Sequence, residues 1–126
     1  MKPTAVITGK APEAIGPYSQ GLSSGQLVFV SGQVPLRPDG AAEGGGVAEH
    51  TRRCLENVRE VLAAAGLMMD DVVKTTVFMT DLGQFAAMNE AYGRCFRPPY
   101  PARSTVQVSA LPKGADVEIE AVAARP

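Results

Sequence analysis

The sequence predicts an α+β fold in which one mixed β-sheet is covered on one face by two helices. Two stretches have the three- and four-residue apolar spacing of amphipathic helices, and short apolar stretches typical of strands alternate with them. The length of 126 residues leaves room for one such sheet. We therefore expect a single domain over residues 1–126 whose uncovered sheet face, part polar and part apolar, is covered by self-association.

The N-terminal third predicts mostly extended chain and loops. Residues 1–24 contain several Pro and Gly residues that break helices, so we expect them to be irregular or weakly extended. The apolar run 27–30 predicts a short strand buried on both faces. This strand ends at Gly32, which allows close backbone approach, and residues 36–46 predict a loop.

The middle of the chain predicts two helices with a strand between them. Apolar residues recur at helical spacing over 47–65, and Gly66 stands where a C-terminal cap belongs. Residues 71–80 predict a second buried strand. Asp81 predicts the N-cap of a second helix, which keeps its apolar spacing as far as Phe96.

Two alternating stretches near the C-terminus predict an antiparallel hairpin over residues 101–121. Alternation in such a hairpin places Arg103 on the same face as Glu118 and Glu120. A cation and carboxylates on one face suit a small anion, with the arginine as a bidentate clamp and a glutamate as a general base. An ordinary solvated strand edge explains the same alternation and is the simpler interpretation on periodicity alone.

Other candidate residues have structural and functional interpretations side by side. Tyr18 lies in a turn-rich loop, where binding residues are frequent, although a lone tyrosine more often covers the core. Ser31 and Gly32 could offer a hydroxyl and an N–H to an anion or simply end a strand. His50 is the only histidine, and no Cys/His spacing resembles a metal site, so we expect no metal.

Composition argues against several classes of function. The net charge is −1, with 12 basic and 13 acidic residues and no basic run, so nucleic-acid binding is not expected. No apolar run approaches the roughly 20 residues of a membrane span, and none resembles a signal peptide. Cys54 and Cys95 are then expected to be reduced thiols in a cytoplasmic protein.

Taken in order, six short motifs resemble the RidA/YjgF family of reactive-intermediate (imine) deaminases. The resemblance extends from about residue 11 to residue 123. The motifs occupy residues 16–20 (GPYSQ), 31–35 (SGQVP), 57–66, 73–78 together with Asn89 and Tyr92, 101–106 (PARSTV), and 111–121.

This resemblance implies a chorismate-mutase-like α+β fold and a homotrimer with a ligand cleft at each subunit interface. It implies hydrolysis of 2-imino acids or their enamine tautomers, such as 2-aminoacrylate/2-iminopropanoate and 2-iminobutanoate, to 2-keto acids and ammonia. No cofactor or metal is implied. A non-catalytic, keto-acid-binding regulatory trimer is the alternative, and the near-neutral charge argues against a ribonuclease.

The resemblance also implies roles for individual residues. Arg103 would clamp the substrate carboxylate, Glu118 would activate water, and Tyr18 would line the cleft from a neighbouring subunit. Ser31, the Gly32 backbone and Asn89 would complete the wall of the cleft.

The chain departs from many family members at two positions. Thr105, also expected to contact substrate, stands where many members have cysteine, and this leaves the substrate range open. His50 stands where glutamine is frequent, at a position predicted to be exposed and of little consequence.

Overall fold

The computed structural model describes residues 2–126 as a six-stranded mixed sheet with both α-helices packed on it, and the α+β prediction is confirmed. In chain order the elements are β1 (Thr4–Val6), β2 (Gly21–Ser24), β3 (Leu27–Gln33), α1 (Val47–Ala64), β4 (Val72–Met79), α2 (Phe85–Gly93), β5 (Ala102–Gln107) and β6 (Val117–Ala124). Single 3₁₀ turns occupy Met69–Asp71, Leu82–Gln84 and Pro112–Gly114.

Helix α1 supplies the largest share of the core because its apolar side chains follow the helical period. The Glu49 carboxylate accepts a hydrogen bond from the Gly46 N–H at 2.8 Å, which satisfies a donor that the first turn leaves free. At the other end Gly66 has a φ of 78°, the left-handed geometry of a C-terminal cap, as predicted. The buried residues are Val47, Thr51, Cys54, Leu55, Asn57, Val58, Val61 and Leu62.

The strand order in the sheet is β1-β2-β3-β6-β4-β5. All neighbours are antiparallel except β4 and β5, which are parallel because α2 carries the chain back across the sheet between them. β6 therefore lies between β3 and β4, and β5 forms one edge. This order determines which side chains of the C-terminal strands share a face.

The predicted hairpin of residues 101–121 is wrong. β5 pairs with β4, and β6 pairs with β3 and β4, so β4 separates the two strands that the hairpin would join. The connection between them is longer than the two to five residues of ordinary hairpin loops and crosses the end of β4. The alternation in the sequence predicts correctly which residues of β5 share a face and which residues of β6 share a face. Because both strands pair with β4 and not with each other, the alternation does not predict which face of β5 lies on the same side of the sheet as which face of β6.

The correct pairing places Arg103 and Glu118 on opposite faces of the sheet. Residues directly opposite in a ladder share a face. Arg103 lies opposite the buried Thr75 and therefore faces the helices, whereas Glu118 lies opposite Phe78 and faces away from them. We call the face that the helices leave uncovered the open face; Glu120 lies on it as well.

Residues 1–24 were predicted to be irregular or weakly extended, and the described part of this segment contains only the short strands β1 and β2 among irregular chain. The prediction that β3 is buried on both faces is wrong. β3 is buried on one face only: Val28 and Val30 are buried, while Phe29, on the open face, is 42% exposed in the single chain.

The second helix also differs from its prediction. Asp81 does cap a helical turn, and its carboxylate accepts from the Gly83 N–H at 2.8 Å, but the turn is the 3₁₀ turn that precedes α2. α2 begins at Phe85 and ends at Gly93, three residues before Phe96. Phe96 continues the apolar stripe because its ring packs on that of Tyr92, with centroids 4.7 Å apart.

His50 is half-buried and joins three segments, so the prediction of an exposed and unimportant position is wrong. Its Nδ1 lies 2.8 and 3.0 Å from the two carboxylate oxygens of Asp116, just before β6. Its Nε2 lies 3.1 Å from the carbonyl oxygen of Glu43 in the loop before α1. Both ring nitrogens face acceptors, so the ring links Asp116 to the loop before α1.

Neither α-helix within residues 2–126 combines the length and the hydropathy that a bilayer-spanning helix requires. Both cysteines are free thiols. Cys54 is buried in α1, and Cys95 is half-buried after α2.

Candidate active site

The side chain of Arg103 extends from the edge strand β5 over the face of α2. Its Cζ lies 4.7 Å from the centroid of the Tyr92 ring and 5.6 Å from that of Phe85. Within residues 2–126 the guanidinium forms no ion pair and no hydrogen bond. All five of its N–H donors are therefore available to a ligand.

A cleft of about 460 Å³ opens beside this guanidinium. We call it the arginine cleft; it is lined by Asn89, Tyr92, Gly93, Tyr100, Pro101 and Arg103. Asn89 is exposed on α2 and adds an amide that can donate and accept. A planar cation and an amide in a concave site suit a small molecule with a carboxylate.

A second group of site residues lies on the open face, where β3 and β6 meet. The pairing of these strands shifts between Val30 and Gln33, so that Ser31 and Gly32 together oppose Glu120 in a β-bulge. We call the group Ser31, Gly32, Glu118 and Glu120 the glutamate patch.

Gly32 is needed because the Glu118 carboxylate packs against it. A Cβ at position 32 would lie 2.5 Å from Oε2 of Glu118 and 2.8 Å from its Cδ, closer than non-bonded atoms approach. The close approach predicted at this glycine therefore involves a carboxylate. Any side chain at position 32 would displace it.

Burial raises the pKa of Glu118 above the ordinary value for glutamate, and the neighbouring charge of Glu120 adds to this effect. Within residues 2–126 the carboxylate has no cation partner that would oppose the shift. A glutamate with a raised pKa accepts a proton more readily than an exposed one does. Such a group suits proton transfer to and from a reacting molecule.

The other predicted residues of this region are partly committed to contacts within the chain. The Ser31 hydroxyl donates to the carbonyl oxygen of Ser19, and the Ser31 N–H donates to the carbonyl oxygen of Gln20 at 2.9 Å. Tyr18 is 54% exposed, and its hydroxyl accepts from the Ile15 N–H at 3.4 Å. Tyr18 lines a separate cavity beside Gln20 and takes no part in the arginine cleft of its own chain.

Thr105 lies two residues beyond Arg103 on the same face of β5. Its Oγ1 is buried and has no hydrogen-bond partner within residues 2–126. Thr105 is not one of the residues that line the arginine cleft.

The predicted site residues form two groups that one chain does not bring together. Arg103 and Asn89 belong to the arginine cleft, while Ser31, Gly32 and Glu118 belong to the glutamate patch. Two strand spacings and a three-residue offset in register separate Arg103 from Glu118, which corresponds to about 14 Å between their Cα atoms. The two side chains also leave the sheet on opposite faces.

Sequence reasoning missed the contribution of two aromatic residues to the arginine cleft. The apolar spacing that predicts the second helix includes Phe85 and Tyr92, seven residues apart, and this spacing alone indicates only a helix face that packs on the core. The same spacing places both rings on one helix face, two turns apart, where they flank Arg103. Only the position of α2 beside β5 makes this contact visible.

The residues described here contain no cluster of three or more His, Cys, Asp or Glu side chains that could hold a metal ion.

Comparison with known proteins yields relatives that cover almost the whole chain. The human protein named 2-iminobutanoate/2-iminopropanoate deaminase is 47% identical over 119 residues, which are 94% of this chain and 87% of the human one. Protein DfrA of Myxococcus xanthus is 50% identical, over 98% of this chain and 96% of its own.

The crystal structure of Escherichia coli TdcF with bound serine superposes with a TM-score of 0.93 at 46% identity, covering 98% of this chain and 99% of that one. The family model described as Endoribonuclease L-PSP matches residues 8–125. Close relatives and a family model that both extend over nearly the full length establish that this chain belongs to the RidA/YjgF family.

Proposed function

We propose that this protein is a deaminase that hydrolyses 2-imino acids and their enamine tautomers to 2-keto acids and ammonia. The substrates we expect are 2-aminoacrylate/2-iminopropanoate and 2-iminobutanoate. We further propose that each site forms between two subunits of a homotrimer, where the arginine cleft of one subunit meets the glutamate patch of the next.

The unpaired guanidinium of Arg103 is the observation that carries this proposal. An arginine with no carboxylate partner, set in a cleft beside Asn89, suits the carboxylate that every 2-imino acid carries. Bidentate binding of that carboxylate fixes the position of the adjacent imine carbon. Much of the catalysis then comes from orientation, because the iminium carbon is already electrophilic.

Glu118 supplies the proton transfers that hydrolysis needs. As the oxygen of a water molecule bonds to the imine carbon, Glu118 accepts a proton from the water and the electron pair of the C=N bond moves to nitrogen. Glu118 then returns the proton to the amine of the carbinolamine. The C–N bond breaks as the hydroxyl proton passes to the Glu118 carboxylate and on to the departing ammonia, so that a keto acid and ammonium are released.

The placement of the two groups supports the proposed subunit arrangement. A single chain holds Arg103 and Glu118 on opposite sheet faces, about 14 Å apart, and a small imino acid cannot contact both. The open face carries Phe29 and Val106, which are exposed in the single chain and would be buried by a second copy. Rotational repetition of one heterologous contact closes into a ring.

The names of two relatives agree with this chemistry. The human relative is named for the hydrolysis of 2-iminobutanoate and 2-iminopropanoate, and the TdcF crystals hold serine, an amino acid with the carboxylate that the arginine cleft suits.

The test is an imine-hydrolysis assay. An amino-acid oxidase or a threonine dehydratase generates the imine, and keto-acid release is followed with and without the purified protein. We expect clear acceleration by the wild type and a loss of at least about 100-fold in kcat/KM for Arg103→Ala, because a bidentate carboxylate contact and substrate orientation are lost together. Arg59→Ala is the matched control, since Arg59 lies on α1 and pairs with Glu56.

Wild-type protein without acceleration, or Arg103→Ala at full rate, contradicts the proposal. Tight binding of pyruvate or 2-oxobutanoate without turnover would instead support the regulatory trimer. The description of the family model makes RNA cleavage a further outcome to measure, and with a net charge of −1 we expect none.

Running Thr105→Cys beside the wild type over several imine side chains tests whether this position sets the substrate range.

A further inference from the structure

Two aromatic rings, and no carboxylate, hold the Arg103 side chain in place within residues 2–126. Its Cζ lies over the Tyr92 ring at 4.7 Å and near the Phe85 ring at 5.6 Å, within the range of cation–π attraction. A carboxylate anchor would occupy the donors that a ligand needs and would compete with the carboxylate of the ligand. An aromatic anchor orients the guanidinium plane and leaves its edge free.

The Tyr92 ring is itself held from two sides. Its hydroxyl lies 2.6 Å from Oγ1 of Thr75, in a buried pair where Tyr92 is 5% and Thr75 1% exposed. The Phe96 ring packs against it at 4.7 Å. A buried hydroxyl pair and a packed neighbour leave the ring one orientation.

Thr75 and Arg103 are also direct neighbours in the β4–β5 ladder. The chain of contacts is therefore closed: the ladder fixes Arg103 relative to Thr75, Thr75 fixes the Tyr92 ring, and the ring fixes the guanidinium. Each member is positioned by the next through a short contact.

We infer that Tyr92, held by Thr75, is a positioning residue that presents the guanidinium of Arg103 to the substrate carboxylate. This inference rests on the proposed function for the identity of the ligand. The ring contributes its face to the cation, and the hydroxyl contributes the orientation of the ring.

The first measurement is a spectroscopic signature that needs no turnover. The Cζ of Arg103 lies over the Tyr92 and Phe85 rings, so in protein labelled with ¹⁵N-arginine we expect the Nε–Hε resonance of this guanidinium to be shifted by the ring currents. Tyr92→Leu should remove most of this shift and Tyr92→Phe should retain it. Tyr100→Leu is the matched control, because Tyr100 lines the same cleft but does not stack on Arg103.

The second measurement is the Kd for 2-oxobutanoate, the stable keto acid of the expected reaction. We expect Tyr92→Leu to raise it about tenfold, within the range of a partly desolvated cation–π contact. Tyr92→Phe and Thr75→Val should each raise it about two- to threefold, since both break the same hydrogen bond. The double variant Thr75→Val/Tyr92→Phe should be no weaker than either single variant.

An unchanged Arg103 resonance in Tyr92→Leu overturns the inference, as does an unchanged Kd. Should Tyr92→Leu fail to fold, additive effects of Thr75→Val and Tyr92→Phe would overturn it equally, because they would show that the two hydroxyls act separately. Absence of imine hydrolysis in the wild type would defeat the proposed function and leave the resonance test intact. Normal hydrolysis with an Arg103 resonance that is insensitive to Tyr92 would defeat the inference alone.

Discussion

At the scale of single residues, Glu118 is a carboxylate kept in surroundings that disfavour its charge. It is half-buried on Gly32, lies on the same face as Glu120, and has no cation partner within residues 2–126. These surroundings raise its pKa, and the ionised form therefore costs the folded state free energy. An uncharged side chain in this position would not carry this cost.

Glu118→Gln should therefore stabilise the protein at pH 7. Between the ordinary glutamate pKa and the raised one, the folded state holds a proton that the unfolded state has lost, so wild-type stability falls as the pH rises through this interval. The variant lacks this fall. We expect a gain of less than about 1 kcal/mol, because solvent still screens a half-buried group.

Urea unfolding at pH 4 and pH 7 measures this effect. The difference between variant and wild type should be small at pH 4, where the carboxyl is mostly protonated in both states, and should favour the variant at pH 7. Glu13→Gln, the same substitution at an exposed loop position, is the matched control. A variant less stable than the wild type at pH 7 would contradict the argument.

Sequence could identify Glu118 and Gly32 as separate candidates but could not join them. Because 85 residues lie between Gly32 and Glu118, the contact between these two residues depends on the β3–β6 register and its bulge. The partnership of Arg103 with Tyr92 is hidden for the same reason. The residue types alone predict an arginine and a glutamate in the site, whereas the contacts with Tyr92 and Gly32 that position them are visible only in the fold.

At the scale of elements, His50 connects the first turn of α1 to the loop before it and to the start of β6. Asp116, its partner, also accepts through its carbonyl oxygen a hydrogen bond from the Thr80 N–H at 3.2 Å. The approach of β6 to the sheet is thus fixed just before the strand reaches Glu118. Asp116, which holds His50, and Glu118 of the glutamate patch thus belong to one short stretch of chain.

His50→Gln should destabilise the fold by about 1–2 kcal/mol, because the rigid ring places one nitrogen against the Asp116 carboxylate and the other against the Glu43 carbonyl, and a flexible amide does not reproduce both contacts. Urea unfolding at pH 7 measures the loss. Arg59→Gln, at an exposed position of the same helix, should change stability by no more than about 0.5 kcal/mol. Equal stability of His50→Gln and wild type would show that the contacts of His50 with Asp116 and Glu43 do not stabilise the fold.

Elements with strong local patterns were predictable and those defined by distant pairing were not. α1 and its glycine cap were predicted to within a residue because spacing and capping are local properties. β1 and β2, of three and four residues, have no period of their own and form only by pairing with each other and β3. The false hairpin of residues 101–121 arose because adjacency in sequence was taken for adjacency in the sheet.

At the scale of the whole molecule, the separation of Arg103 from Glu118 predicts that two inactive chains can restore each other. Arg103→Ala and Glu118→Gln should each be inactive alone. In rings assembled from both, a junction is complete when a normal arginine cleft meets a normal glutamate patch. Random mixing of equal amounts makes about one junction in four complete, so we expect about a quarter of wild-type activity.

The two variants are unfolded together, refolded as a mixture and assayed for imine hydrolysis. A mixture of separately refolded variants is the control and should stay inactive as long as subunits do not exchange. Continued inactivity of the co-refolded mixture would mean that both residues act within one chain. Size-exclusion chromatography with light scattering of the same samples reports the number of subunits.

The bulge at Ser31 and Gly32 has a consequence for how this protein can change. Val28, Val30 and Gln33 all face the interior, although a regular strand would send the last of them outward. The additional residue of the bulge shifts the inward-facing positions of β3 from even to odd numbers, so neither position 31 nor position 32 places a side chain in the core. A side chain added at position 32 would therefore move the Glu118 carboxylate while Val28, Val30 and Gln33 keep their places in the interior, so this position can change the chemistry of the site without a change in the core.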